Sequence, residues 1–448
     1  MLRVLVAFVL CSATSARQYD ALSSTCLNAK PISGNVGPVS SAKECEAKCD
    51  AQAAAAPGTG QTPCVGVDTN GKTNCYLKSV CGGKAGHCGS SECGYRAVGV
   101  APPAPPPGPL PPIPPAPPGV TLRAAAEKHG LLIGAATNVN GVSKAGPYKT
   151  TEQAQYSLTT AENACKVGPI HPREGPNGFD WKGCDEIFAQ AEAANQTVRG
   201  HNLCWHTENP AWLTKGKHTP AQLRSFLQEH ITAVVKHYGE RAYCWDVVNE
   251  AIEDGRAPAH ANSTGLKPSK PWYPAVPDYI DVAFKAAAAA RGPGSKVKLF
   301  YNDYSADGVN PKSDKVYNLV KGMQERGVPI DGVGLQFHIS VQNPPSLDAI
   351  AANMARFGKL GLEVHITEMD LKCPEGCSLE AQAHLYADIL KVCLAAPTCR
   401  SFETWGFTDA DTWIGAAQRP LPFDEQYSPK PAVAAMINVL LNASVTQY

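Results

Sequence analysis

Beyond residue 119 the chain alternates short apolar runs with longer segments whose apolar residues recur every three or four positions. Short runs of this kind favour strands, and the longer segments have the spacing of amphipathic helices. The pattern predicts strands at 131–135, 198–205, 244–249, 297–301, 333–337, 362–366 and 402–407, with another directly before Glu162. Helices are predicted between the strands, including segments at 277–290, 313–326, 346–359 and 378–395.

The clearest predicted helix begins at Pro220. Thr219 offers a side-chain oxygen for the N-cap, and proline suits the first helical position because no amide hydrogen is needed there. A stripe of apolar residues at helical spacing follows: Leu223, Phe226, Leu227, Ile231, Val234, Val235 and Tyr238. This stripe predicts a helix that packs one face against a neighbouring layer.

Eight strands that alternate with helices over residues 119–448 predict an α/β fold of the (β/α)8 TIM-barrel type. A doubly wound open sheet is the alternative architecture. It is disfavoured because no glycine-rich phosphate-binding turn follows the first predicted strand.

Residues 1–16 have the form of a signal peptide. Arg3 supplies a basic residue, residues 4–11 an apolar run, and residues 13–16 a cleavage site of small side chains. The apolar run is too short to span a bilayer, and no later segment offers about 18 uncharged apolar residues. We therefore expect a secreted, extracellular protein without a membrane anchor.

The cysteine count agrees with export. Of 17 cysteines, Cys11 lies in the predicted signal peptide, eight lie between Cys26 and Cys93, and eight between Cys165 and Cys399. Both sets are even, as expected of a disulfide-bonded extracellular protein. Glycosylation sequons are present at Asn195, Asn262 and Asn442.

Residues 17–100 form a predicted module that contains eight cysteines and few large apolar residues, so disulfides are expected to stabilise it. Zinc binding is the alternative, but no matching Cys-x2-Cys pairs occur and His87 is the module's one histidine. A predicted helix at 41–49 precedes a predicted strand at 74–79. This arrangement resembles PAN/apple modules, which bind protein or carbohydrate; a spacer domain without a ligand is the other interpretation.

Residues 101–118 contain 12 prolines in 18 positions and predict an extended polyproline linker between two modules. At about 3.1 Å per residue such a segment would span roughly 55 Å. The formal net charge of the chain is zero, with 40 basic and 40 acidic residues. This balance argues against nucleic acid or an anionic membrane as partner, and we expect a monomer that acts on a neutral polymer.

Polar residues follow the predicted strands at their C-terminal ends, where a TIM barrel places its active site. Asn249 and Glu250 end one strand, Gln336 and His338 another, and Glu368 and Asp370 a third. His201, Trp205 and Trp405 occupy similar positions. Five strands with such ends are hard to explain by packing alone, so the sequence predicts a catalytic site at this rim.

Two glutamates on separate strands suit the cleavage of a glycosidic bond. One carboxylic acid must protonate the leaving oxygen, and one carboxylate must attack the anomeric carbon. We predict Glu250 as acid/base and Glu368 as nucleophile, because His338 and Asp370 would keep Glu368 ionised while an aromatic such as Trp205 would keep Glu250 protonated. Metal binding is the alternative, but the histidines lack zinc-site spacing. The mechanism requires no cofactor.

The segments that carry these residues resemble glycoside hydrolase family 10, in order along nearly all of residues 119–440: TAENACK, RGHNLCWH, WDVVNEAIEDG, LFYNDYS, GVGLQFH, ITEMD and WGFTD. The resemblance implies a retaining endo-β-1,4-xylanase on a (β/α)8 barrel, with Glu250 as acid/base and Glu368 as nucleophile. It also implies that Asn249 binds the 2-hydroxyl of the attacked sugar and that His338 contacts the nucleophile. The implied glycone-side sugar contacts are Glu162, Asn163, Lys166, His201, Trp205, Gln336, Trp405 and Trp413.

Two positions depart from the family pattern. Val167 stands where the family usually has tryptophan, and Glu208 where it usually has glutamine. Both departures concern the distal glycone side and leave the exact glycan open. The alternatives to a xylanase are a β-1,4-glucanase or a transglycosylase acting on wall glycans, and a non-catalytic glycan-binding protein on a barrel scaffold. The last is disfavoured because both carboxylates and their supporting residues are present.

Cysteines in the barrel have structural roles in this interpretation. Cys373 and Cys377 are close enough in sequence to pair, and the family resemblance implies a bridge between Cys393 and Cys399. The connections of Cys165, Cys184, Cys204 and Cys244 stay open, with Cys204 or Cys244 as a free buried thiol.

Overall fold

The computed structural model describes residues 110–254, 265–268 and 270–444 in full, together with the backbone of five strands in the N-terminal part. The chain divides into two compact units, residues 1–109 and 110–448. The predicted signal peptide at 1–16 lies outside the described residues.

The described strands of the N-terminal unit form two small antiparallel sheets. Gln18–Ala21 pairs with Tyr95–Val98 in one sheet, and Thr73–Ser79 lies between Pro38–Val39 and Gln61–Val67 in the other. The strand predicted at 74–79 falls within Thr73–Ser79. The helix predicted at 41–49 and the disulfide pairing of this unit lie outside the described residues.

The second unit is a closed barrel of eight parallel strands, as the sequence predicts. In chain order the strands are β1 Leu132–Thr137, β2 Leu158–Ala161, β3 Thr197–His201, β4 Cys244–Asn249, β5 Lys298–Asp303, β6 Gly332–Leu335, β7 Glu363–Lys372 and β8 Cys399–Thr404. Each strand pairs with the next, and β8 pairs with β1 to close the barrel. A short strand, His338–Ser340, adds to the end of β7.

Helices surround the barrel and bury their apolar faces against it. The longer ones are Pro147–Gln155, Lys182–Ala193, Pro220–Tyr238, Tyr279–Arg291, Pro311–Glu325, Leu347–Gly358, Leu379–Ala395 and Pro431–Asn442. Shorter helical turns at Leu122–Glu127, Val139–Val142, Val167–Ile170 and Ala211–Lys215 lie in the connections. The Pro220–Tyr238 helix begins as predicted, with Thr219 and Gln222 forming a capping box.

The second half of the proline-rich segment belongs to the barrel unit. Ile113 and Ala116 pack against the hydrophobic core. The Pro111 carbonyl lies 2.8 Å from Nε2 of His384, and the Asn438 amide donates to the Pro114 carbonyl at 2.8 Å. Residues 110–118 are therefore held against the barrel, and the reach expected of a free spacer does not apply to them.

Three disulfides lie in the barrel unit. Cys373–Cys377 and Cys393–Cys399 pair as predicted, and Cys165 pairs with Cys184. Cys204 and Cys244 are both free and buried. Among the residues that the structure describes, no helix is long and apolar enough to cross a membrane.

A buried network of charges occupies the barrel interior. The Arg199 side chain is 0% exposed and donates from Nε and Nη2 to the two oxygens of Asp246, at 3.0 and 2.5 Å. Its Nη1 lies 2.9 Å from Nδ1 of His365 and 3.8 Å from Glu403 Oε1. Asp246 already pairs with the Arg199 guanidinium. An ionised carboxylate at Glu403 would therefore have too little positive charge beside it. Burial raises the pKa of Glu403 to about 7, although the Arg199 charge opposes the rise.

This raised pKa predicts how stability depends on pH. A neutral Glu403 stabilises the fold fully below its unfolded pKa of about 4.3, and this contribution disappears as pH rises through about 7. Glu403→Gln carries no proton to lose. Its stability relative to wild type should therefore improve by up to about 3 kcal/mol between pH 4 and pH 8. Urea unfolding at both pH values measures the difference, and an equal effect at both would contradict the prediction.

Candidate active site

The predicted catalytic residues meet at the C-terminal rim of the barrel. Glu250 follows β4 directly, Glu368 lies within β7, and Gln336 follows β6. Because all eight strands are parallel, their C-terminal ends point to the same side, and residues far apart in sequence become neighbours.

Glu250 is held in an unusual backbone conformation. Its φ of +57° lies in the left-handed region, which costs a non-glycine residue about 1–3 kcal/mol. Its amide donates to the Asn302 carbonyl at 2.9 Å. The carboxyl accepts from Trp205 Nε1 at 3.0 Å, Gln336 Nε2 at 3.2 Å and Asn249 Nδ2 at 3.3 Å. These contacts fix both the main chain and the carboxyl at the strand end.

The surroundings of Glu250 favour its protonated form. Burial is the largest cause that raises the pKa of its carboxyl, and the negative charges of Glu368 and Asp303 raise it further. The hydrogen bonds from Gln336 and Trp205 oppose this rise. A carboxylic acid with a raised pKa can donate a proton near neutral pH, as a general acid must.

Two side-chain donors contact the Glu368 carboxyl. Asn302 Nδ2 donates to its Oε1 at 2.6 Å, and His338 Nε2 lies 3.2 Å from its Oε2. His338 Nδ1 contacts Asp370 Oδ2 at 2.7 Å. Burial lowers the pKa of His338, but the charges and hydrogen bonds of Asp370 and Glu368 outweigh it and raise the pKa to about 10. The imidazole is therefore a cation that donates to both carboxylates.

Asn302 connects the two carboxyl groups, a role that the sequence reasoning missed. Its Nδ2 donates to Asn249 Oδ1 at 2.9 Å as well as to Glu368, and Asn249 in turn donates to Glu250. The Thr367 hydroxyl donates to Asn302 Oδ1 at 2.7 Å and so fixes the amide orientation. Gly334 makes this arrangement possible, because a Cβ there would lie 2.2 Å from Asn302 Oδ1. Asn302 directly follows the strand predicted at 297–301, as the sequence indicates, but its bridging role depends on its neighbours in space.

The predicted glycone-side residues form a cluster next to the catalytic pair. Lys166 Nζ donates to Asn163 Oδ1 at 2.7 Å and lies 5.0 Å from the ring centroid of Trp205 and 5.9 Å from that of Trp405. The ring centroids of His201 and Trp405 are 5.1 Å apart. Glu162 accepts from Asn138 at 3.4 Å, a residue that the sequence reasoning did not select. The cluster offers charged, amide and aromatic groups to a sugar.

His201 is oriented from inside the barrel. Its Nδ1 lies 2.9 Å from Asp246 Oδ2, the carboxylate that also pairs with Arg199. The sequence reasoning identified His201 but neither of these partners. A charged pair in the barrel interior therefore sets the orientation of a ring at its rim.

The two departures from the family pattern occupy different environments. Val167 is 4% exposed and lines a small internal cavity with Trp212, His230 and Trp272, so its side chain offers no surface to a sugar. Glu208 is exposed. Burial lowers the pKa of Lys166, and the negative charge of Glu208 is the largest effect that opposes it. Glu208 thus acts on the glycone side electrostatically, whereas Val167 acts through packing.

Trp413 lies beside His338 and Asp370. The residue is 59% exposed, and its Nε1 donates to Asp370 Oδ2 at 2.8 Å. The ring lies edge-on to His338, with centroids 5.3 Å apart. Trp405, by contrast, is buried to 9% exposure. A large apolar ring that faces solvent beside the nucleophile's partners is suited to contact the face of a sugar.

In the part of the chain that the structure describes, no group of three or more histidine, cysteine or acidic residues is arranged to hold a metal ion.

Comparison with known proteins agrees with the site. The endo-1,4-beta-xylanase B of Neocallimastix patriciarum is 38% identical over 311 residues, covering 69% of this chain and 34% of that protein, so the chain spans about a third of that relative. The endo-1,4-beta-xylanase B of Thermotoga neapolitana is 35% identical over 328 residues, covering 71% of this chain and 90% of that protein. The crystal structure of xylanase 10B from Thermotoga petrophila RKU-1 in complex with xylobiose has a TM-score of 0.66 and 37% identity, covering 72% of this chain and 97% of that one.

The family model of glycosyl hydrolase family 10 matches residues 121–439, which span the closed barrel and every residue of the candidate site. With its paired glutamates at the ends of β4 and β7, the chain belongs to glycosyl hydrolase family 10.

Proposed function

We propose that the protein is a retaining endo-1,4-β-xylanase that hydrolyses internal bonds of xylan by double displacement. The observation that carries the proposal is the opposite environment of two neighbouring carboxyls. Burial and nearby negative charge raise the pKa of Glu250, whereas an amide and an imidazolium donate to Glu368. Relatives named as endo-1,4-beta-xylanases and a neighbour solved with xylobiose support the choice of substrate.

In the first step the Glu368 carboxylate attacks the anomeric carbon while Glu250 gives its proton to the leaving oxygen. His338 and Asn302 hold the attacking carboxylate in one orientation. In the second step Glu250, now ionised, accepts a proton from water, which attacks the same carbon and releases Glu368. Two inversions give net retention. Glu250 changes its protonation state in each step. Both states are accessible because burial and negative charges favour the acid, whereas the donors Gln336 and Trp205 favour the carboxylate.

Isosteric substitutions separate the two roles. Glu368→Gln should lower kcat/KM on xylo-oligosaccharides more than about 10⁴-fold, because no nucleophile remains. Glu250→Gln should lower it about 10²–10⁴-fold on xylan but much less on a dinitrophenyl glycoside, whose leaving group needs no proton. Glu229→Ala, on an exposed helix surface, is the control. Comparable hydrolysis by Glu368→Gln would contradict the nucleophile assignment.

Product stereochemistry and substrate range test the activity itself. NMR of early products from xylan should show the β-anomer first, and xylan should be hydrolysed in preference to carboxymethyl-cellulose. The α-anomer first would exclude retention. Preference for the glucan would instead identify a β-1,4-glucanase.

The descending limb of the pH profile should report Glu250. Since Glu250 must be protonated to act, kcat/KM falls as pH rises through its pKa. Asp303 raises that pKa by its negative charge and pairs with Lys312 at 3.0 Å. Asp303→Asn removes that negative charge, while Lys312 stays paired with Asp254 at 2.8 Å, so the limb should move to lower pH. Asp281→Asn, a matched change in the ion pair with Arg326, should leave it in place. A shift to higher pH would contradict the assignment.

We propose further that the enzyme is secreted and that residues 17–100 form a PAN/apple-like module that binds carbohydrate or protein. The signal-peptide pattern, the even cysteine counts and the helix–strand pattern around CYLK support these proposals. Full-length protein should bind an insoluble polysaccharide more strongly than a variant that begins at residue 101. Equal binding by both would favour a spacer without a carbohydrate ligand.

A further inference from the structure

Trp413 lies in a loop whose two ends meet. The loop, residues 409–421, follows β8 and is here called the Trp413 loop. Asp409 Oδ1 accepts from the Leu421 amide at 2.8 Å, and its Oδ2 accepts from Lys430 Nζ at 2.9 Å. Lys430 Nζ also donates to the Arg419 carbonyl at 2.7 Å. The ring itself is mostly exposed, and these contacts hold the base of the loop that carries it.

Arg419 joins the base of this loop to a second loop. Residues 373–377, closed by the Cys373–Cys377 disulfide, directly follow the nucleophile strand β7 and are here called the disulfide loop. Arg419 Nε donates to the Cys373 carbonyl at 3.0 Å, and its Nη2 donates to the carbonyls of Pro374 and Cys377 at 2.9 and 3.1 Å. One guanidinium thus donates to three carbonyls of the short ring that the disulfide closes.

Main-chain hydrogen bonds strengthen the same junction. The Cys373 amide donates to the Gln418 carbonyl at 2.8 Å, and the Leu371 amide donates to the Pro420 carbonyl at 3.1 Å. Arg419 itself has a φ of +42°, in the left-handed region, and its carbonyl also accepts hydrogen bonds. Gln382 Nε2 donates to that carbonyl at 2.7 Å.

We propose that Arg419 is a positioning residue for Trp413: by binding the disulfide loop, it fixes the Trp413 loop relative to β7 and so places the indole beside His338 and Asp370. The indole then reaches Asp370, which lies on β7 together with Glu368. Arg419 and Trp413 therefore connect the loop after β8 to the nucleophile strand at two separate points. The disulfide contributes by holding the three carbonyls in the arrangement that a guanidinium fork fits. This inference rests on the proposed hydrolase activity.

A double-mutant cycle tests the proposal against a merely structural role. Arg419→Ala should lower kcat/KM on xylo-oligosaccharides roughly tenfold, because a small displacement of a substrate-contacting group has large effects on rate. In a Trp413→Ala background, the same change should alter kcat/KM less than about twofold. The melting temperature should fall by the same amount in both backgrounds. Equal tenfold losses in both backgrounds would overturn the proposal.

Arg123→Ala is a matched control. Arg123 also donates its guanidinium hydrogens to backbone carbonyls, those of Gln153, Tyr156, Ala194 and Asn195, but it lies on the helix that precedes β1. This variant should lower the melting temperature without changing kcat/KM. A loss of activity equal to that of Arg419→Ala would show that both effects arise from general destabilisation.

Two further variants keep the test decisive if Arg419→Ala does not fold. Arg419→Lys retains the charge but cannot present the planar fork. Its kcat/KM should therefore fall nearly as far as that of Arg419→Ala. Cys373→Ala/Cys377→Ala removes the ring closure and should lower kcat/KM in the same direction, again only while Trp413 is present. Activity unchanged in both variants would overturn the proposal. If the wild-type enzyme hydrolyses no xylo-oligosaccharide, the proposed function fails, an outcome distinct from an additive cycle in an active enzyme.

Discussion

The barrel interior is organised around the guanidinium of Arg199. From β3 it reaches Asp246 on β4, His365 on β7 and Glu403 on β8, so a single side chain connects four of the eight strands. Replacing a buried ion pair with apolar residues is often neutral for stability, but removing one partner typically costs about 3–5 kcal/mol. The pair therefore acts as a constraint on register: strands that shifted would leave a charge buried without its partner.

That constraint extends to the rim through Asp246, whose second contact is the ring of His201. The active site depends on such fixed donors, because its two glutamates have the same chemistry and must behave differently. Burial and nearby negative charges favour the neutral form of Glu250. Glu368, by contrast, lies between Asn302 and the His338 cation. The difference in role comes from the surroundings, and the surroundings come from strands held in one register.

The sequence was sufficient for the barrel and the catalytic pair because both follow from local patterns. An acidic residue at the end of an apolar strand can be recognised one strand at a time, and closure brings those ends together. Asn302 was visible by the same rule, but its amide bridge requires Asn249, Thr367 and the space left by Gly334. Arg199 and Glu403 were missed because the sequence around a charged residue inside a strand does not indicate which residue pairs with it across the barrel.

Loop contacts were less predictable for the same reason. Cys373 and Cys377 could be paired from their spacing alone, yet nothing in that spacing indicates that the ring they close binds Arg419, 42 residues further along the chain. The position of Trp413 is likewise not a property of its own segment, since most of its ring is exposed and its one side-chain hydrogen bond goes to β7. Residues that contact the sugar can thus be identified from motifs, whereas the residues that hold them in place are distributed over strands and loops that meet only after the barrel closes.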